Sequence, residues 1–183
     1  ACRWANSLVD RIVSEPIEPA GAVAEPYALW AIEAQPGLKA PTEHPSVRVV
    51  ADLEEIERLK LHILNLGHTT LVELWHQADG PADQTVDKAL AGPLGAELQA
   101  IFEAEVLPGF ALKGLGDEAP AYLAATMERF LNPFLHHRLS DIAQNHSQKI
   151  DRRIGAFLAW VRETQPDYAA PRLDAIASAK GDK

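Results

Sequence analysis

Cysteine is nearly absent from this sequence, with one residue, Cys2, among 183. An internal disulfide is therefore excluded, which indicates a reducing compartment and leads us to expect a cytoplasmic protein. No apolar run approaches the roughly 20 residues that span a bilayer, so a membrane span is not predicted. The N-terminus also lacks the basic-then-apolar pattern of a signal peptide.

Glycine-rich phosphate loops are also missing. Neither GxGxxG nor GxxxxGK[ST] is matched by the glycines at positions 92, 95, 109, 114 and 116. The chain is therefore not expected to carry a dinucleotide or nucleotide fold of its own. Positive charge is scarce as well, because 17 basic residues face 26 acidic ones and the net charge is −9. Nucleic acid and anionic membranes are consequently not expected as partners.

Metal-binding patterns are equally weak. The sequence contains no HExxH and no CxxC motif. His62 and His68 point in different directions on one predicted helix, and the adjacent His136 and His137 point apart. We therefore expect no metal site.

The composition itself is that of one globular domain with a substantial core, at 47% hydrophobic and 23% charged residues. The chain is apolar from Trp4 and Leu8 onward, whereas free termini usually fray. We therefore expect a piece of a longer protein. The classes that remain are an enzyme, an enzyme fragment and an interaction module.

Local patterns predict a mainly α fold, with two short strands near the N-terminus over residues 27–32 and 47–50. Proline-rich loops are predicted over 14–24 and 36–45, and a loosely held tail from residue 165. Breaks are predicted at Pro108-Gly109 and Asn132-Pro133. Helices are predicted over residues 52–75, 85–90, 94–107, 120–130 and 134–163.

The helix from Leu59 to Trp75 carries three polar side chains in apolar surroundings. At about 100° per residue, Lys60, Asn65 and His68 share one face. An apolar helix is buried, and a desolvated amine is suited to accept a proton, an amide to stabilise an alkoxide and an imidazole to bond a hydroxyl. This set predicts proton removal from an alcohol as hydride leaves its carbon. Alternatively, the lysine reaches solvent and the other two are satisfied core residues.

A second polar pattern lies between Glu128 and Arg153. Its polar side chains recur every four residues, and the segment is basic although the chain is acidic. Such a stripe suits a hydroxylated or anionic small molecule. The alternative is a solvated helix face with pairs such as His137 and Asp141.

Four ordered segments, ANSLVDRIV (5–13), AEPYALWAIE (24–33), KLHILNLGHT (60–69) and RFLNPFLHHRLSDIAQNHSQK (129–149), make the chain resemble a known family. It is similar to the C-terminal substrate domain of the mannitol dehydrogenase family of long-chain polyol and sugar-acid dehydrogenases. The resemblance implies that residues 1–183 form a multi-helical C-terminal domain. It also implies a metal-independent oxidoreductase whose NAD or NADP is bound mainly by an N-terminal Rossmann domain absent from this chain.

The resemblance further implies roles for individual residues. The lysine of K-x4-N-x2-H, Lys60, is the general acid/base, and Asn65 and Asn6 hold the reacting oxygen. His68 contacts the substrate. The remaining candidates bind the rest of the sugar chain: Arg129, His137, Arg138 and Lys149. Ala34 stands where some relatives carry an acidic residue, so no carboxylate role is assigned there.

The segments look most similar to the hexuronate-reducing members of the family, of the altronate oxidoreductase type, and next to mannitol-1-phosphate dehydrogenases. The implied partners are a polyol or sugar-acid substrate and the N-terminal domain of the same enzyme. A non-catalytic helical interaction module and a structural domain of an oligomer remain the alternatives. Convergence of Lys60, Asn65 and His68 with Asn6 in one cleft would favour the enzyme.

Overall fold

The computed structural model describes residues 4–179, and Cys2 lies outside them. The mainly α architecture is confirmed, with a small β region preceding the helices. The strands in this region are β1 (Ser7–Asp10), β2 (Val13–Ile17), β3 (Gly21–Ala24), β4 (Leu29–Glu33) and β5 (Val47–Val50). They form a three-stranded sheet in the order β1-β4-β5, antiparallel then parallel, and a separate β2–β3 hairpin.

The strand content exceeds the prediction. The predicted loop over 14–24 was wrong, because most of it forms the β2–β3 hairpin. Almost all side chains of β2 are exposed, and Pro16 lies within the strand. The hairpin therefore has no alternation of apolar and polar residues from which its strands could be predicted.

The helices follow β5 to the end of the described chain. Several of them are joined through wider π-helical turns, labelled π1 to π3 here. In chain order they are α1 (Glu54–Leu59), π1 (Lys60–Asn65), α2 (Leu66–Gln77), α3 (Val86–Leu90), α4 (Pro93–Ile101), π2 (Phe102–Val106), α5 (Leu107–Leu112), α6 (Glu118–Phe130), a 3-10 turn (Pro133–Leu135), α7 (Leu139–Ile142), α8 (His146–Lys149), π3 (Ile150–Gly155), α9 (Ala156–Arg162) and α10 (Pro171–Ser178).

Three predicted boundaries were wrong. The predicted break at Pro108 is absent, because the residues of π2 precede it and α5 continues to Leu112. The predicted helix 134–163 is interrupted, since His136 and Asn145 adopt left-handed backbone angles with φ of 46° and 57°. The predicted loose tail contains α10, whose Leu173 and Ile176 are buried in the core.

Side chains supply hydrogen-bond donors to carbonyls of the π-helical turns. Arg153 Nη1 in π3 donates to the carbonyl of Asn65 at the end of π1 at 3.2 Å. In the neutral tautomer that carries its proton on Nδ1, His62 donates to the carbonyl of Arg153 at 3.2 Å. The Tyr168 hydroxyl likewise donates to the carbonyl of Glu105 in π2. Buried carbonyls need such partners, so π1 and π3 are tied together at the centre of the molecule.

The continuous helix formed by α1, π1 and α2 passes through the main core. Ile63, Leu66 and Leu71 are fully buried, and Gly67 lets the helix approach two aromatic rings. A β-carbon at Gly67 would lie 2.9 Å from Cζ of Phe102 and 3.3 Å from Cε2 of Phe130. Within residues 4–179, no helix combines the length and apolar character that a membrane crossing requires.

Candidate active site

Lys60 lies at the start of π1 and is half-buried. Its Nζ donates a hydrogen bond to the backbone carbonyl of Val9 in β1. The position of this amine is therefore set by both the central helix and the β1 strand. π-helical turns are rare and frequently occur at functional sites, which makes this lysine a reasonable centre for chemistry.

His68 lies about two turns further along the helix and is buried, with 5% of its surface exposed. Its ring stacks on Phe130 at 4.0 Å between centroids and meets the edge of His137 at 5.1 Å. Burial, followed by repulsion from His137 and Arg153, holds the pKa of His68 well below its usual value. The imidazole is therefore neutral at pH 7, and within the described chain its buried Nε2 has no hydrogen-bond partner.

Arg153 is a residue of this region that sequence reasoning did not select. Its Nη1 donates to the carbonyl of Asn65 at 3.2 Å and to Oγ1 of Thr69 at 3.0 Å. Asn65 itself is half-buried. The only available signal was the spacing of four residues between Lys149 and Arg153, which places both on one helix side.

Lys149 and His137 complete a group of basic side chains near His68. Lys149 Nζ donates to the carbonyl of Ile142 at 2.7 Å, and burial, then Arg153, lowers the pKa of this lysine. Burial also lowers the pKa of His137, while Asp141 opposes the shift and Lys149 adds to it. We call His68, His137, Lys149 and Arg153 the basic cluster.

Asn6 faces a different space. Its Nδ2 donates to Oε2 of Glu33 at 2.7 Å. Both residues line a cavity of about 560 Å³ together with Ser7, Asp52, Leu53, Glu54, Glu57, Arg58 and Leu61. Asn6 immediately precedes β1, and Lys60 contacts that strand at Val9, but the Asn6 amide is turned toward Glu33. The roles of Lys60, Asn65, His68 and Asn6 therefore stay predictions.

Arg129, a predicted substrate ligand, contacts two carboxylates of the protein. Its guanidinium donates to both oxygens of Asp10, at 3.0 and 3.1 Å, and to both oxygens of Glu25, at 2.8 to 3.2 Å. Tyr27 stacks on its other side at 4.1 Å. Burial alone would lower the pKa of Arg129, but its hydrogen bonds to Glu25 and Asp10 raise it above its usual value.

Every nitrogen of this guanidinium is already bonded to a carboxylate, and Asp10 and Glu25 are only 2% and 1% exposed. The structure therefore gives Arg129 a place in an internal ion-pair group, and its role as a substrate ligand stays a prediction. We call Asp10, Glu25 and Arg129 the clamp. Arg138, the last predicted ligand, is exposed at the start of α7, and its role stays a prediction.

The described residues do not suit the phosphates of a dinucleotide. Their one parallel strand pair, β4–β5, is connected by an irregular segment over 34–46 and not by a helix. Dinucleotide sites need a glycine-rich turn between a strand and a helix, and residues 4–179 contain no such turn.

The chain is similar in sequence to a known domain family and to named oxidoreductases. The family model described as the mannitol dehydrogenase C-terminal domain matches residues 52–178. An altronate oxidoreductase from Pectobacterium carotovorum is 31% identical over 134 residues, which is 73% of this chain and 26% of that protein. A D-mannonate oxidoreductase from Escherichia coli is 29% identical over 139 residues, which is 75% of this chain and 28% of that protein. This chain thus spans about a quarter of the length of these relatives.

Two solved structures share the fold. A D-sorbitol dehydrogenase in substrate-free form superposes with a TM-score of 0.72 at 21% identity, covering 96% of this chain and 39% of that one. Mannitol 2-dehydrogenase from Pseudomonas fluorescens, in a ternary complex with NAD and D-mannitol, gives 0.63 at 19% identity, covering 97% and 44%. From the matched family model and these shared helices, the chain belongs to the mannitol dehydrogenase family, in its C-terminal domain.

Proposed function

We propose that this chain is the substrate-binding and catalytic domain of a cytoplasmic, NAD(P)-dependent oxidoreductase. The enzyme interconverts a sugar alcohol or aldonate with its keto sugar. Altronate and tagaturonate are the favoured pair, because the altronate oxidoreductases are among the most similar relatives, and mannitol or mannitol 1-phosphate come next. The observation that carries the proposal is the half-buried Lys60, which opens a π-helical turn with its amine on the Val9 carbonyl.

In the oxidation direction, the neutral amine of Lys60 accepts the hydroxyl proton of the substrate. The amide of Asn65 donates a hydrogen bond to the oxygen as negative charge develops on it. The Asn6 amide, now bonded to Glu33, would turn to donate to the same oxygen. When bound, NAD or NADP would accept the hydride that leaves the carbinol carbon in oxidation and return it to the carbonyl carbon in reduction. In the reduction direction, the ammonium of Lys60 returns the proton to the carbonyl oxygen.

The basic cluster supports an acidic substrate. Lys149 and Arg153 bring positive charge to one side of the central helix in a chain whose net charge is −9. A carboxylate or phosphate at the far end of the sugar would be attracted there. The neutral imidazole of His68, a member of this cluster, also offers a hydrogen-bonding group to a substrate hydroxyl.

The test is a hydride-transfer assay of the full-length enzyme with tagaturonate, fructuronate, fructose and fructose 6-phosphate in competition. We expect Lys60→Ala to lower kcat by about 10²- to 10⁴-fold, because it removes the acid/base group. An added primary amine should restore part of the rate. The matched control is Lys88→Ala, since Lys88 is exposed on α3. Turnover like the wild type in Lys60→Ala at neutral pH would contradict the proposal.

The alternative is a non-catalytic helical interaction module. Exposed apolar side chains favour a contact surface, with Trp4 88% and Phe134 82% exposed and Val9 and Trp30 also accessible. A module of this kind would show no turnover of the four sugars, and substitution of Trp30 by serine would abolish a protein complex seen on size-exclusion chromatography.

A further inference from the structure

The clamp lies directly beside the group that holds Lys60. Asp10 follows Val9 in the chain, and the Val9 carbonyl is the acceptor for the Lys60 amine. We propose that Asp10 and Arg129 are positioning residues that fix the Val9 carbonyl and, through it, the reacting amine. This inference rests on the proposed function, because it assigns Lys60 the proton transfer.

The direction of the Val9 carbonyl follows from the strand pairing. The Glu33 N–H donates to the carbonyl of Asn6 at 2.9 Å. Because carbonyls alternate in direction along a strand, that of Val9 points away from β4. In the described sheet β1 pairs with β4 alone, so this outer edge of β1 is open to the Lys60 amine.

The clamp fixes β1 to the helical core from the other face. Arg129 lies in the last turn of α6, next to Phe130, which is buried. Its Nη1 and Nη2 hold the Asp10 carboxylate at 3.1 and 3.0 Å, and the Tyr122 hydroxyl donates to the same carboxylate at 3.0 Å. Two residues of α6 therefore determine where β1 lies.

Glu25 extends this restraint to the chain that follows β1. Its Oε1 accepts from the Ile12 N–H at 2.6 Å, and its own N–H donates to the Ile12 carbonyl at 3.1 Å. A four-residue strand with one paired neighbour is otherwise weakly restrained. The contacts at Asp10 and at Ile12 thus hold the backbone that directly follows Val9.

Loss of the clamp should consequently displace the amine without removing it. We expect Asp10→Asn in the full-length enzyme to lower kcat by about 10- to 100-fold, because misplacement of a reacting group by about 1 Å has effects of this size. KM should change little, because the Asp10 carboxylate is not placed against the substrate. Tyr122→Phe, which removes a single hydroxyl, should lower kcat in the same direction by a smaller factor.

A double-mutant cycle separates positioning from general damage to the fold. In Lys60→Ala, where there is no amine to position, Asp10→Asn and Tyr122→Phe should cause no further loss of rate. The control is Asp174→Asn, which removes a two-point contact with Arg162, at 2.8 and 2.7 Å, from another part of the chain. This control should leave kcat unchanged.

Additive losses in the Lys60→Ala background, or normal kcat in both single variants, would overturn the inference and leave the proposed function standing. If Asp10→Asn does not fold, the cycle with Tyr122→Phe decides the question. High activity of Lys60→Ala would overturn the proposed function and the inference together.

Discussion

At Arg129 a charged side chain is buried with two carboxylates. Removing a guanidinium from water is costly, and here the contacts with Asp10 and Glu25 offset that cost. Because both carboxylates are themselves buried, deleting the arginine leaves two unpaired negative charges in the interior. Such a group is therefore far more sensitive to the loss of one member than an ion pair on the surface.

Replacement of Arg129 by alanine should lower the free energy of unfolding by about 3 to 5 kcal/mol, the range for a broken buried ion pair. Arg162→Ala, which breaks a more exposed pair with Asp174, should cost about 1 kcal/mol. Urea unfolding of both variants measures the difference. Equal losses in the two variants would show that the buried carboxylates are not stabilised by Arg129.

The partners of Arg129 could not be predicted from the sequence. Asp10 and Glu25 lie 119 and 104 positions away, and no local pattern connects them. By contrast, Lys60, Asn65 and His68 belong to one helix, so their spacing alone brought them together as candidates. Local spacing thus identified the helix that carries the candidate site. It did not identify the ion pairs between residues far apart in the chain, such as those of Arg129 with Asp10 and Glu25.

At the level of elements, segments with a clear apolar pattern were predicted well, but the longest predicted helix, over 134–163, is interrupted. The helix over 52–75 was predicted from its apolar repeat and observed as α1, π1 and α2. The hairpin of β2 and β3 was missed, because its exposed side chains carry no periodic signal. α10 was missed because part of its stability comes from Glu105, 68 positions before Leu173.

Glu105 caps α10 from π2. Its carboxylate accepts hydrogen bonds from the backbone N–H groups of Arg172 and Leu173 at 3.0 and 2.9 Å, at the positive end of that helix. We expect Glu105→Ala to lower the free energy of unfolding by about 1 to 3 kcal/mol, because it leaves buried donors unsatisfied. Amide hydrogen exchange over 171–178 should accelerate.

The control for this prediction is Glu97→Ala. Glu97 pairs with the Arg172 side chain at 3.4 Å, but both partners are well exposed. Its loss should leave the exchange of α10 nearly unchanged. Similar acceleration in the two variants would show that the carboxylate of Glu105 does not act as a cap.

At the scale of the whole molecule, burial favours the neutral form of several histidines, among them His62, His68 and His137. Burial lowers the pKa of His62 to about 4, an effect opposed by its bond to the Arg153 carbonyl. Burial lowers the pKa of His68 and His137 as well. The unfolded chain binds protons at these sites near the usual pKa of about 6.5, whereas the folded chain does not. Acid therefore favours the unfolded state.

We expect the free energy of unfolding to be insensitive to these groups above about pH 6.5 and to fall as the pH decreases toward 4. The shift of His62 alone, from 6.5 to about 4, corresponds to about 3 kcal/mol at about 1.4 kcal/mol per unit. Urea unfolding between pH 7.5 and 4.5 measures the slope. His62→Gln should flatten it, and an unchanged slope in that variant would contradict the assignment.

The widened turn of π1 has one more consequence, for sequence length. Because i→i+5 bonding encloses an additional residue, π1 behaves as a built-in insertion within the helix. Each residue rotates the helix by about 100°, so this insertion affects the angle between Lys60 at its start and His68 after it. Removal of one residue from the turn would leave an intact helix in which these two side chains no longer pointed toward their present neighbours. A deletion within π1 should therefore disturb the candidate site even where the helix itself persists.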